Sequence, residues 1–122
     1  MSYKILVAED DSELCDVLSL LLEAKGYVVH SAHEGIDVLE QATKLKPDLI
    51  LLDWNMPFGK GSAVLEMLAE KKLIPALPVI VLSGSTEPGM KELALSLGAQ
   101  KVLRKPYEND ELLAEIAMAI KK

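Results

Sequence analysis

What most constrains this chain is the alternation of two kinds of apolar segment along its length. Short, nearly continuous apolar runs at Tyr3–Ala8, Tyr27–His30, Asp48–Leu52, Pro78–Leu82 and, more weakly, Lys101–Leu103 read as strands buried on both faces. Between them, apolar residues recur at helical spacing. Leu14, Val17, Leu18 and Leu21 form one stripe; Val38, Leu39, Ala42 and Leu45 a second; Val64, Leu65 and Leu68 a third. Met90, Leu93, Ala94 and Leu97 form the fourth, and Leu112, Leu113, Ile116 and Ile120 the last. Gly26 and Gly98 stand where helix C-termini favour a left-handed residue, and Pro47 and Pro78 precede strands. Ser31 with Glu34 has capping-box spacing, and Thr86 with Pro88 suits a helix start. Five strand-then-helix repeats with short connections predict an α/β fold: one parallel sheet, helices on both faces, right-handed crossovers.

A chain of 122 residues fits one domain, residues 1–122, and such a fold hides roughly two thirds of the surface of its unfolded chain. With half the residues apolar but only 4% aromatic, Leu, Ile, Val and Ala must build the core. A net charge of −6 and no clustered Lys/Arg surface argue against direct nucleic-acid binding. The single Cys15 excludes an internal disulfide, no secretory leader pattern opens the chain, and no apolar run approaches the ~20 residues of a membrane span. The cytoplasm is therefore the expected compartment, with no membrane partner. Cys15 sits within an apolar helical stripe and reads as a buried, unreactive thiol.

Ligands of parallel α/β sheets bind beyond the carboxyl ends of the strands. Here those ends carry Glu9, Asp10 and Asp11, then Asp53, then Ser83, and the fifth is followed by Lys105-Pro106. Carboxylates gathered on one rim repel unless a cation intervenes. Mg²⁺, which takes oxygen ligands and keeps several waters, suits a site with few protein donors. Asp10 is read as a metal ligand and Asp11 as a helix N-cap. Taken singly, Asp53 is a strand-ending Asp, Ser83 a turn hydroxyl and Lys105 a surface lysine. Together they supply metal site, nucleophile, hydrogen-bond donor and countercharge for a phosphoryl group.

The segments Ile5-Leu6-Val7-Ala8-Glu9-Asp10-Asp11, Pro47 through Pro57 with Gly61, Pro78 through Gly84, Gly98-Ala99 and Lys105-Pro106-Tyr107 resemble the receiver domain of bacterial two-component response regulators. The resemblance extends over nearly the whole chain and implies a flavodoxin-like (βα)5 three-layer sandwich, its five-stranded parallel sheet ordered 2-1-3-4-5. It implies that Asp53 takes a phosphoryl group from a phosphohistidine of a sensor histidine kinase or histidine phosphotransfer protein. Asp10, Asp53 and the carbonyl of Asn55 would hold Mg²⁺, with Glu9 acting through water. Lys105 would neutralise the phosphoryl oxygens, across a Lys-Pro bond that is usually cis in the family. Ser83 would report the modification to a downstream partner on the face of the fourth helix, fifth strand and fifth helix. With no segment after Lys122, output is expected either from docking of that face or from a further domain of a longer chain.

Departures from the family pattern carry expectations of their own. Val102 stands where an aromatic often swings inward, Lys60 where Asp is common, and Gly84 where Ala is frequent. Asn55 and Ser85, both small and polar, imply an acyl phosphate that is not unusually long-lived. His30 and His33 are expected away from the acidic rim, facing solvent, and Trp54 is expected as a surface aromatic at its edge. A haloacid-dehalogenase-type phosphatase would want an Asp at position 55 and a cap domain. A flavodoxin would want Ser, Thr and Gly in place of Glu9-Asp10-Asp11. A pseudo-receiver that only binds partners would not need the full set of phosphorylation residues.

Overall fold

The computed structural model describes residues 2–56, 60–84 and 87–120. The expectations resting on Pro57, Ser85 and Thr86 lie outside the described residues. Strands β1 (Lys4–Ala8), β2 (Val28–Ala32), β3 (Leu49–Asp53), β4 (Val79–Ser83) and β5 (Lys101–Arg104) alternate with helices α1 (Ser12–Glu23), α2 (Gly35–Leu45), α3 (Gly61–Glu70), α4 (Met90–Ser96) and α5 (Asn109–Ile120). All strand pairs are parallel, in the order β2-β1-β3-β4-β5. This is the expected flavodoxin-like architecture.

Side-chain alternation along the strands divides the core into two layers. Leu6, Ile50, Leu52, Val79 and Val81 meet α2, α3 and α4 through Val38, Val64, Leu68 and Ala94. Ile5, Val7, Leu49, Leu51, Ile80 and Leu82 meet α1 and α5 through Leu18, Leu22, Leu112 and Ile116. Every residue of β3 and β4 is buried, which is why LILLD and VIVLS tolerate almost no polarity before their last residue. Burial of each such aliphatic side chain contributes about 1.5–3 kcal/mol.

Several details depart from the sequence reading. The outer strands β2 and β5 are edges and only partly buried, not buried on both faces. β2 runs on to Ala32, because pairing with β1 continues through Val7 with Ser31 and Ala8 with Ala32. Ser31 is thus consumed by the ladder and the expected capping box does not form. α2 starts instead after Glu34, whose side chain makes no cap bond. On α1 the buried residues are Cys15, Leu18 and Leu22, while Val17 is 61% exposed. The leucines at 14, 18, 20, 21 and 22 are dense enough to satisfy more than one helical phase, and only contact with the sheet selects among them. On α4, Met90 and Ala94 are buried and Leu93 turns outward. Gly26 (φ 92) and Gly98 (φ 114) are left-handed as expected.

Candidate functional site

Backbone hydrogen bonds that run past the strand ends fix the rim. Glu9 N–H donates to Ala32 O at 3.0 Å, Trp54 N–H to Leu82 O at 3.0 Å, and Lys105 N–H to Ser83 O at 2.8 Å. These bonds bring together the residues that chain order separates. Glu9, Asp53 and Ser83 are the described polar or charged side chains that are buried, at 2%, 5% and 1% exposure. Asp10 is exposed beside them. One carboxylate oxygen from each of Glu9, Asp10 and Asp53 lies within 4.8 Å of the others.

Lys105 answers part of this charge. Its Nζ is 3.4 Å from Asp53 Oδ1 and 3.8 Å from Glu9 Oε1, and the Lys105-Pro106 bond is cis, as the resemblance implied. Asp53 Oδ1 also accepts the Asn55 N–H at 3.3 Å, and Glu9 Oε2 accepts the Asp11 N–H at 3.3 Å. Glu9 Oε1 is buried with no hydrogen-bond donor among the described residues. Burial, reinforced by the neighbouring Asp53, pushes the Glu9 carboxyl up to about 7. At an effective dielectric near 20, two carboxylates at this spacing repel by roughly 3 kcal/mol. Oxygen donors alone, an unsatisfied buried carboxylate oxygen and one ammonium against three acids together fit a hard divalent cation.

Asp11 takes the helix-capping role expected of it, accepting the N–H groups of Glu13 and Leu14 at 3.0 and 3.2 Å. Asp10 is left as the acidic side chain of this loop facing the rim. Ser83 lines a cleft of about 360 Å³ with Met90, Val102 and Arg104. Val102 is half-buried. A β-carbon on Gly84 would meet nothing within 4 Å, so the glycine contributes freedom rather than needed room. Lys60 precedes α3 as an exposed cap residue without a side-chain cap bond.

Two aromatic or imidazole residues correct the sequence reading. His33 is exposed, but it is not remote from the rim: its Nδ1 lies 2.9 Å from Glu9 O. Once β2 reaches Ala32, opposite Ala8, the next residues on the two strands are His33 and Glu9, and the parallel register places them side by side. Trp54 is half-buried against the core beneath α3 rather than lying on the surface. Tyr107 belongs to the site's surroundings with no role foreseen for it: burial first, then Glu9 and Asp53, push its phenol up. Its place two residues after Lys105 is the signal that could have indicated this.

A family model for the response regulator receiver domain matches residues 5–117. The alkaline phosphatase synthesis transcriptional regulatory protein PhoP of Bacillus subtilis is 34% identical over all 122 residues, which correspond to 50% of that protein. The phosphate regulon transcriptional regulatory protein PhoB of Klebsiella pneumoniae is 30% identical over the whole chain and 53% of its own length. The chain thus spans about half the length of the curated relatives it matches. Among solved structures, a Francisella response regulator receiver domain superimposes with a TM-score of 0.91 at 29% identity, covering 98% of both chains. The receiver domain of the Pseudomonas aeruginosa sensor histidine kinase PA1611, solved with magnesium coordinated in its active-site cleft, gives 0.90 at 25% identity over 100% of both chains. Matched from strand β1 to helix α5 by that model, the chain belongs to the response regulator receiver domain family, the signalling domain of two-component phosphorelays.

Proposed function

We propose that Asp53 is the phosphoryl acceptor of this domain. The observation that carries the reading is the buried Asp53 carboxylate held 3.4 Å from the Lys105 ammonium within an acidic cluster. An Asp53 oxygen attacks the phosphorus of a phosphohistidine on a sensor histidine kinase or histidine phosphotransfer protein. The P–O bond forms as the P–N bond breaks, and the imidazole departs with the electron pair. Lys105 donates to the phosphoryl oxygens, and the Ser83 hydroxyl donates to the product acyl phosphate. Asp10, Asp53 and the Asn55 carbonyl would hold Mg²⁺, with Glu9 acting through a water molecule. When bound, the cation supplies positive charge that keeps these carboxylates ionised and offsets the charge of the incoming phosphoryl group. The domain's chemistry is confined to its own phosphorylation and dephosphorylation. The small polar side chain of Asn55 beside the acceptor supports an acyl phosphate of ordinary lifetime.

Residues 1–122 are read as one receiver domain, acting in the cytoplasm. Its output passes to a downstream protein through the face of α4, β5 and α5; α4 and α5 carry the exposed apolar side chains Leu93, Leu95 and Met118, at 45%, 41% and 63%. The net charge of −6 supports a protein partner on this domain rather than nucleic acid. Val102 means that the switch operates without an aromatic relay, as a bias between two arrangements of Ser83 and the α4 side of the sheet.

The test is incubation with Mg²⁺ and acetyl phosphate followed by intact mass. The parent is expected to gain one phosphoryl group and Asp53→Asn none. Absence of any gain with acetyl phosphate or a phosphorylated histidine protein would turn the reading to a receiver that only binds partners.

A further inference from the structure

We propose that the lysine-rimmed groove between α2 and the segment 71–78 that follows α3 docks an acidic amphipathic helix of a partner protein. The groove opens at the amino-terminal edge of the sheet, where Pro47 and Pro78 lead into β3 and β4. Asp53 stands at the opposite edge, so this surface is separate from the phosphoryl site.

Two clefts of about 550 and about 470 Å³ meet at Thr43. Leu39, Leu73 and Leu77 supply a partly exposed apolar floor. Around it stand Lys44, Lys46, Lys71 and Lys72, four of the 13 basic residues of a chain whose net charge is −6. The lining carries two carboxylates, Glu40 and Asp48, and Asp48 Oδ2 already accepts the Lys4 N–H at 2.8 Å. An acidic domain therefore presents a locally positive groove.

The backbone adds an independent observation. Among the described residues, left-handed φ values occur at Gly26, Gly89 and Gly98 and at two residues bearing a β-carbon, Lys46 (φ 49) and Lys72 (φ 60). Glycine would be unstrained at both. Both are lysine, and both lie on the rim of this one groove. Strain kept where glycine would remove it points to a use for the side chain.

Charge complementarity selects the occupant. A helix with a Leu/Ile stripe would cover the floor while Asp/Glu residues flanking the stripe meet the lysines. A flat anionic bilayer would reach the lysines of the rim but not the partly buried leucines of the floor between α2 and residues 71–78.

The ¹⁵N-labelled full chain would be titrated with a synthetic helical peptide carrying Leu at i, i+3, i+4 and i+7 and Glu elsewhere. Amide shifts are expected around Lys46, Lys72 and Leu77, weakening as salt is raised. A Lys46→Gly/Lys72→Gly double variant should melt at or above the parent's temperature yet bind roughly tenfold more weakly, from two lost surface charge pairs. Lys44→Gln/Lys71→Gln, at positions without left-handed strain, should weaken binding in the same direction. Equal binding of a peptide with Lys in place of Glu would overturn the proposal, as would undiminished binding by both variants. So would shifts at these amides caused by phosphatidylglycerol vesicles, or by self-association of the chain without peptide.

Discussion

Lys105 reaches back from the end of β5 to place its Nζ 3.4 Å from Oδ1 of Asp53, at the end of β3. The same ammonium lies 3.8 Å from Oε1 of Glu9. One cation thus serves two buried acids, and it stands where negative charge would be delivered to Asp53. Replacing Lys105 by Ala removes the donor proposed to meet the phosphoryl oxygens. Loss of one such preorganised donor costs on the order of 100-fold in rate, read as the rate of mass gain with acetyl phosphate and Mg²⁺. Lys105→Arg should recover little of it, because a planar guanidinium fork does not reproduce a compact ammonium. A Lys105→Ala variant phosphorylated at the parent rate would remove Lys105 from the chemistry.

The unsatisfied Glu9 makes the metal-free domain sensitive to pH. Burial and Asp53 push its carboxyl up to about 7, from an ordinary value of 4.5. A group whose pKa is raised on folding stabilises the folded state when protonated. Its contribution is therefore complete below the unfolded value and is lost as pH rises through about 7. The amount is at most about 3 kcal/mol. In EDTA, the difference in melting temperature between Glu9→Gln and the parent should widen in the variant's favour as pH climbs from about 5 to about 7.5. Saturating Mg²⁺ should narrow it. A difference that stays flat across that range would contradict the assignment.

The fold and the acidic rim were legible in the sequence because both depend on patterns that tertiary contacts reinforce. LILLD and VIVLS are strands whose every residue is buried, so each position is constrained toward apolar side chains until the last, which stands at the carboxyl-end rim of the sheet. Where constraint is one-sided, reading fails. Val17 was assigned to the buried stripe of α1, but leucines at 14, 18, 20, 21 and 22 leave the phase open, and the sheet chose Cys15, Leu18 and Leu22. Ser31 fits a capping box locally, yet the β1 ladder claimed it, and the same two-residue extension of β2 carried His33 to the Glu9 carbonyl. Trp54 follows a catalytic-looking Asp and invites a surface reading; only the packing of α3 shows it half inside.

Asp10 and Asp11 are neighbours in sequence with different proposed tasks, and the two can be separated by experiment. Asp11 Oδ1 accepts two N–H groups of the first turn of α1. Asp11→Ala should cost about 1 kcal/mol of stability, as loss of an N-cap does, while leaving Mg²⁺ affinity close to that of the parent. Asp10→Ala should do the reverse, relieving repulsion within the acidic cluster and abolishing measurable Mg²⁺ binding by calorimetry. If Asp11→Ala lost the metal and Asp10→Ala kept it, the two assignments would have to be exchanged.

Gly61 opens α3 with its N–H donating to Trp54 O at 2.9 Å, and a β-carbon there would stand 2.5 Å from Cε3 of Trp54 and 3.0 Å from its Cα. Neither neighbour yields easily, since one is a planar ring wedged against the core and the other is backbone. Gly61→Ala must therefore displace the ring or the start of α3, at a cost of about 1–3 kcal/mol, typical of overpacking. Trp54 is the one tryptophan of the chain, so its emission reports the displacement directly and should shift to longer wavelength as the ring meets water. Because Trp54 follows Asp53 directly, and its own N–H is fixed to Leu82 O at 3.0 Å, movement there also disturbs the proposed acceptor, and phosphorylation by acetyl phosphate should slow. Ser62→Ala, one residue further into the same helix, controls for a general effect on α3 and should leave emission and rate near the parent's. An alanine at position 61 with parental emission, urea midpoint and phosphorylation rate would mean that the contact between these residues does not set the geometry of the acceptor loop.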